Sequence, residues 1–255
     1  MGRFSGTLLC TDFDGTLASP DGSVSSRNLE AIRWFQEEGG LFTVASGRSP
    51  EFLKDLVHIL RPNAPVMALN GGLIVHHESF SVLDFCCLPD EILTAVKALC
   101  APGTCQIDLW YGEGELLRWK RDENRSLADA FAEARPPFYK AVLIENTPEQ
   151  AVSLRLEAIE RYKGRFLFER SWPVGLEVLP SHGGKGAALK RIKRLCPGVS
   201  RVAGMGDYEN DVSLVREADI GIAVENALPC VKEVCDAVSA ANDSDAVWYA
   251  IHNLL

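Results

Sequence analysis

The chain has 255 residues, 47% of them hydrophobic, and a formal net charge of −9. That apolar content fills one large core or two modest ones. The acidic balance argues against a nucleic-acid groove, while a local cationic patch can still take a small anion.

No run approaches the ~18 consecutive apolar residues of a membrane span. The start, "MGRFSGTLLC", reaches an apolar segment within a few residues, which leaves no room for a secretory signal and makes a cytoplasmic location the expectation. Eight cysteines (10, 86, 87, 100, 105, 196, 230 and 235) form no CxxC pair and read as buried reduced thiols. The five histidines (58, 76, 77, 182 and 252) lack ligand spacing.

In chain order, "TLLCT" is a continuous apolar run, as a parallel strand covered on both faces requires. "SSRNLEAIRWFQEEGG" is an amphipathic helix with Leu29, Ile32 and Trp34–Phe35 at its apolar positions and Gly39 as its stop. "LFTVAS" is a second strand. "SPEFLKDLVHIL" is a second helix with Ser49 as N-cap and Pro50 at its first position. "PVMAL" reads as a third strand ending in the turn "NGG".

Between about 83 and 180 the rhythm changes. A helix ("PDEILTAVKALC") precedes a hairpin ("QIDLWYGEGELLRWK", turning at Gly112–Gly114) and a strand ("YKAVLIEN"). A helix opened by a capping box at Thr147–Gln150 follows, then the strands "RFLFER" and "VGLEVLP". Strand–helix alternation resumes with "KGAALKRIKRL", "SRVAGMG", "ENDVSLVREA", "DIGIAV" and "ALPCVKEVC", and the helix "DSDAVWYAIHNLL" closes the chain. The expected fold class is α/β: an open parallel sheet with helices on both faces, from 1–82 and 181–255, with an α+β module over 83–180 inserted into it.

Four stretches carry chemistry. In "LLCTDFDGTL", Asp12 and Asp14 leave a strand at its C-terminal edge, where open α/β sheets bind ligands, and Gly15 exposes backbone N–H groups to an anion. In "TVASGRS", Ser46 and Gly47 end the next strand, where a hydroxyl and N–H groups can cradle a phosphate oxygen. In "SHGGKGAAL", Lys185 sits in a glycine-rich turn opening a helix; Gly186 after it and Leu179 before it exclude a Walker A loop. In "VAGMGDYENDVSL", Asp207 and Asp211 are spaced to face one way on a helix beginning there, and Glu209 occupies the third-glycine position of a dinucleotide fingerprint.

Singly, each has a plain structural reading: a turn, a helix cap, a glycine-rich loop. Together, four successive sheet edges deliver Asp/Asp, Ser, Lys and Asp/Asp, a set suited to Mg²⁺-assisted phosphoryl transfer. Four carboxylates against Lys185 and Mg²⁺ leave about one negative charge, so a bound phosphate also calls on N–H donors and Arg48.

The four motifs, in this order and over essentially the whole chain, resemble the haloacid dehalogenase-like phosphatases. With "NGG" at Asn70 and "GIAVENA" ending at Ala227, the chain looks like their Cof-type sugar-phosphatase branch, which carries a large α/β cap between its second and third motifs. The resemblance implies Asp12 as a nucleophile forming an aspartyl phosphate and Asp14 as the acid/base. It places Ser46, Gly47, Arg48, Asn70, Lys185 and Asn210 around the phosphoryl group or substrate. Mg²⁺ would be held by Asp12, the Asp14 carbonyl and Asp207, with Asp211 behind them.

The implied partner is a small phosphorylated metabolite, with no nucleic acid or membrane, on a monomer or weak homo-oligomer. The alternatives are a phosphomutase or phosphotransferase of the same superfamily, or a non-enzymatic phosphometabolite-binding protein. Glu225, Tyr208 and Leu214 depart from the branch's usual Gly, small residue and Met; none touches the phosphoryl chemistry. In the insert, Arg118, Lys120, Arg121 and Arg125, with Tyr111 and Trp119, are candidate selectivity residues that read first as surface.

Overall fold

The computed structural model describes residues 2–255. In chain order the elements begin with β1 (Thr7–Asp12), α1 (Ser26–Glu37), β2 (Leu41–Ala45), α2 (Pro50–Leu60), β3 (Val66–Ala68), β4 (Leu73–Val75) and β5 (Val82–Phe85). They continue through α3 (Ile92–Leu99), β6 (Thr104–Tyr111), β7 (Glu115–Lys120), α4 (Leu127–Phe131), β8 (Phe138–Glu145), α5 (Pro148–Arg161), β9 (Phe166–Glu169) and β10 (Gly175–Pro180). The last stretch holds α6 (Gly184–Leu195), β11 (Arg201–Gly206), α7 (Val212–Glu217), β12 (Ile220–Ala223), α8 (Pro229–Lys232), β13 (Ala237–Val238) and α9 (Ala246–Asn253). The chain divides into two compact units, one from the segment up to Asp84 with Lys185–Leu255, the other from Phe85–Gly184.

The first unit is α/β. Its sheet runs β13-β12-β11-β1-β2-β3-β4-β5, parallel from β13 to β3. Alternation along β1 shows why its Leu8–Cys10 stretch is apolar on both faces: Leu9 joins a cluster with Ile32 and Phe35 of α1 and Val247 and Ile251 of α9. Leu8 and Cys10 join the opposite cluster with Leu189 and Ile192 of α6 and Leu214 of α7. Both faces are therefore helix-covered. Chain order reverses between β1 and β11, and that switch point is where a doubly wound sheet opens a crevice at its carboxyl ends.

Two local readings change. The sheet turns antiparallel at β3–β4, because the "NGG" turn is far shorter than the dozen or so residues a parallel crossover needs. Leu69 and Asn70 take the left-handed conformation there, with φ of 53° at each. The segment expected as one helix from Glu209 is a 3₁₀ turn, Glu209–Asp211, followed by α7.

The second unit is an antiparallel sheet in the order β7-β6-β8-β10-β9. One face, with Ile107, Leu109, Ala141, Leu143, Leu176 and Val178, packs on α3, α4 and α5. The capping box of α5 forms as expected, Thr147 and Gln150 each bonding the other's backbone N–H. The other sheet face carries Trp110, Asp108, Lys140 and Glu177. Its Lys140–Glu177 ion pair is buried.

Candidate active site

β1 and β11 lie side by side and in register, so their carboxyl ends finish together. Asp12 is the last residue of β1, Asp207 follows the last residue of β11, and Lys185 stands in the first turn of α6. Lys185 is fully buried, and its Nζ donates to Asp12 Oδ1 and, at 2.5 Å, to Asp211 Oδ1. Asp211 Oδ2 accepts the backbone N–H groups of Asp207 and Tyr208, each at 3.1 Å. Asp207 and Asp211 therefore meet through this turn rather than along a helix face. Thr16 Oγ1 donates to Asp207 Oδ1 at 2.9 Å. Asp207 packs so closely on the loop that a Cβ on Gly15 would lie 2.5 Å from Oδ2, at a φ of +81° that already favours glycine.

Crowding shifts these groups. Burial first, then Asp211, pushes the Asp12 carboxyl well above the usual carboxylate range. The same two causes push Asp207 up to about 7. Burial would lower the Lys185 ammonium, but Asp12 and Asp211 outweigh it and hold it above its ordinary value. Asp12, Asp207 and Asp211 each place a carboxylate oxygen within 4.8 Å of the others. Three hard oxygen donors around one point, with Asp12 and Asp207 resisting ionisation, are the set a small divalent cation such as Mg²⁺ relieves.

The β2 edge is linked to this cluster by register, since Ala45 pairs with Asp12 and Ser46 comes next. Ser46 is buried; its carbonyl accepts the Asn70 N–H at 2.9 Å, and its hydroxyl accepts the Arg48 N–H at 3.1 Å. Asn70 Oδ1 in turn accepts from Asn210 Nδ2 at 3.3 Å. Asn210 Oδ1 is buried and has no hydrogen-bond partner among the described residues. Gly47 stands between Ser46 and Arg48. The Asp14 side chain stays outside the buried cluster and pairs with Arg48.

Two residues not assigned roles from the sequence support the site. Thr16 fixes Asp207, and Asn226 Nδ2 donates to the Gly15 carbonyl at 2.8 Å, tying the "VENA" loop to the β1 exit. Both stood inside quoted motifs, but only a fold that closes 191 and 211 residues of separation shows what they touch.

Elsewhere, Arg118 is forked onto Asp108, Arg121 donates to the Thr104 and Ala101 carbonyls, and Arg125 pairs with Glu133. Lys120 and Arg121 line a depression of about 510 Å³ in the second unit. His76, His77 and Glu78 also group within ligand distance of one another, but His76 Nδ1 accepts the N–H groups of Glu78 and Ser79 as a turn acceptor.

Residues 9–251 match the family model of the haloacid dehalogenase-like hydrolases. The chain belongs to that family. Among curated relatives of this hydrolase, 5-amino-6-(5-phospho-D-ribitylamino)uracil phosphatase YcsE of Bacillus subtilis is 24% identical over 96% of the chain and 94% of its own length. Phosphoglycolate phosphatase 2 of Saccharolobus solfataricus is 26% identical over 91% of the chain and 85% of its own. A crystal structure of a haloacid dehalogenase-like hydrolase from Bacteroides thetaiotaomicron superposes with a TM-score of 0.80 at 26% identity, covering 99% of this chain and all of that one. Among the described residues, no helix is long and apolar enough to cross a membrane.

Proposed function

We propose that this phosphatase of the haloacid dehalogenase-like family hydrolyses small phosphomonoesters, sugar phosphates among them, with Mg²⁺ and through an aspartyl phosphate on Asp12. One observation carries the reading: Asp12, at the sheet's switch point, shares a buried cluster with Lys185, Asp207 and Asp211. The names of its relatives support the reaction class, and their different substrates argue for a small phosphate ester without choosing one.

Asp12, Asp207 and Asp211 fit Mg²⁺ as oxygen donors, with Asp12 and Asp207 as direct ligands alongside the Asp14 carbonyl and Asp211 anchoring the loop. When bound, the ion draws negative charge off the phosphoryl oxygens. An Asp12 carboxylate oxygen bonds to phosphorus while the ester P–O bond breaks, and the leaving oxygen takes a proton from Asp14. Water then gives its proton back to Asp14 as its oxygen bonds to phosphorus and the Asp12–phosphorus bond breaks. Lys185 holds Asp12 in line and places a positive charge beside the transferring group. Ser46, Gly47, Asn70 and Asn210 line the phosphoryl side. The Phe85–Gly184 unit occupies the cap's place in the sequence and is the part assigned to choosing the leaving group.

The test is phosphate release by the full-length protein from a panel of alkyl, sugar and aryl phosphomonoesters, with Mg²⁺ and with excess chelator. Release that requires the metal and disappears in Asp12→Asn, with folding intact by circular dichroism, is the expected result. Metal-independent release, or turnover retained by Asp12→Asn, would overturn the mechanism.

A further inference from the structure

Asp14 is two residues from Asp12, yet its carboxylate is half exposed and gripped by Arg48. Arg48 Nε donates to Oδ2 at 2.7 Å and Nη2 to Oδ1 at 2.6 Å. Two parallel N–H···O bonds fix the plane of a carboxylate as well as its position, which a lysine cannot do. The guanidinium is itself seated, its Cζ lying 3.8 Å from the centre of the Phe52 ring in the first turn of α2. At the other end of the residue, the Arg48 N–H is held by Ser46 Oγ.

We infer that Arg48 is a positioning residue: it fixes the Asp14 carboxyl where it exchanges protons with the leaving oxygen and with water, outside the buried Asp12, Asp207 and Asp211 cluster. The inference rests on the phosphatase reading and changes the part Arg48 plays in it. An arginine whose charge is matched by a forked carboxylate offers a phosphate little net attraction, and two of its nitrogens are already engaged. Phe52, packed against the guanidinium, limits its movement and with it that of the carboxyl it holds.

A group that positions a proton donor matters in proportion to how badly the leaving oxygen needs the proton. Nitrophenolate leaves without one, whereas an alkoxide does not. The experiment compares wild type, Arg48→Ala, Arg48→Lys and Phe52→Ala on p-nitrophenyl phosphate and on the best alkyl phosphomonoester of the panel, reading kcat/KM, and measures inhibition by inorganic phosphate.

Arg48→Ala should lose ~10²-fold on the alkyl ester and less than ~3-fold on the aryl ester, the size expected for proton transfer. Arg48→Lys and Phe52→Ala should fall between, and phosphate inhibition should not weaken. Equal losses on both esters, with weakened phosphate inhibition, would make Arg48 a phosphate ligand. No loss on either would make the pair incidental. If Arg48→Ala fails to fold, the split in Arg48→Lys and Phe52→Ala decides. Failure of wild type on every ester would instead remove the phosphatase reading itself.

Discussion

Lys185 spans two buried carboxylates contributed from opposite sides of the sheet's switch point, so it supports the site as well as serving it. Removing one partner from a buried charge network leaves the others uncompensated, at a cost of about 3–5 kcal/mol. Lys185→Met should destabilise the protein by that order in urea unfolding with chelator present, and Mg²⁺ should restore part of the loss. A change below ~1 kcal/mol would show that Asp12 and Asp211 rearrange without it. At this scale, residue identities were legible and partners were not. Lys185 stood out in its glycine-rich turn, but nothing local ties it to an aspartate 173 positions earlier. Asp14 stood out beside Asp12, yet the direction its side chain takes depends on Arg48 and Phe52, which belong to another strand–helix unit.

Elements were legible where one force dominates. β1, fully buried, had no charged residue until its last position, and α2 and α5 announced themselves by cap chemistry. Weaker cases failed for identifiable reasons. α4 is a five-residue helix too short for any period to register, and the Glu209 segment tightens to a 3₁₀ turn because Asp211 turns back onto the N–H groups of Asp207 and Tyr208. Nor did the alternation of β8 and β10 reveal that Lys140 and Glu177 pair inside the sheet face. Lys140→Met should cost about 3–5 kcal/mol by leaving Glu177 charged and buried. Lys140→Met/Glu177→Leu should recover most of that in equilibrium unfolding. A double variant as weak as the single would show that the pair supplies attraction beyond its own desolvation.

The whole molecule has two sets of apolar clusters, and the carboxylates proposed to hold Mg²⁺ all belong to the unit that contains both ends of the chain. A ligand that binds only the folded form stabilises it by about 2.7 kcal/mol at a hundredfold excess over its dissociation constant. Calorimetric scans should therefore show Mg²⁺ raising the transition of that unit and chelator removing the gain. Asp207→Asn should abolish the response. An unchanged melt in wild type, or the same rise in Asp207→Asn, would remove the metal from this site.

The order in which the chain carries these pieces also dictates when the site can exist. Asp12 is synthesised before its partners, and Lys185, Asp207 and Asp211 follow at least 173 residues later. Translation proceeds at about 5–20 residues per second, so Asp12 waits roughly ten to forty seconds for these partners. α1 waits longer still for α9, whose Trp248 N–H it receives through Asn28 Oδ1 at 2.8 Å. The Phe85–Gly184 unit is contiguous and has its own core, so it is complete while the other is half made. A nascent chain stalled before Lys185 would carry a folded insert behind one unfinished half of an enzyme, with Asp12 in place but without the lysine and the two aspartates that gather around it, and so inert until those residues are made.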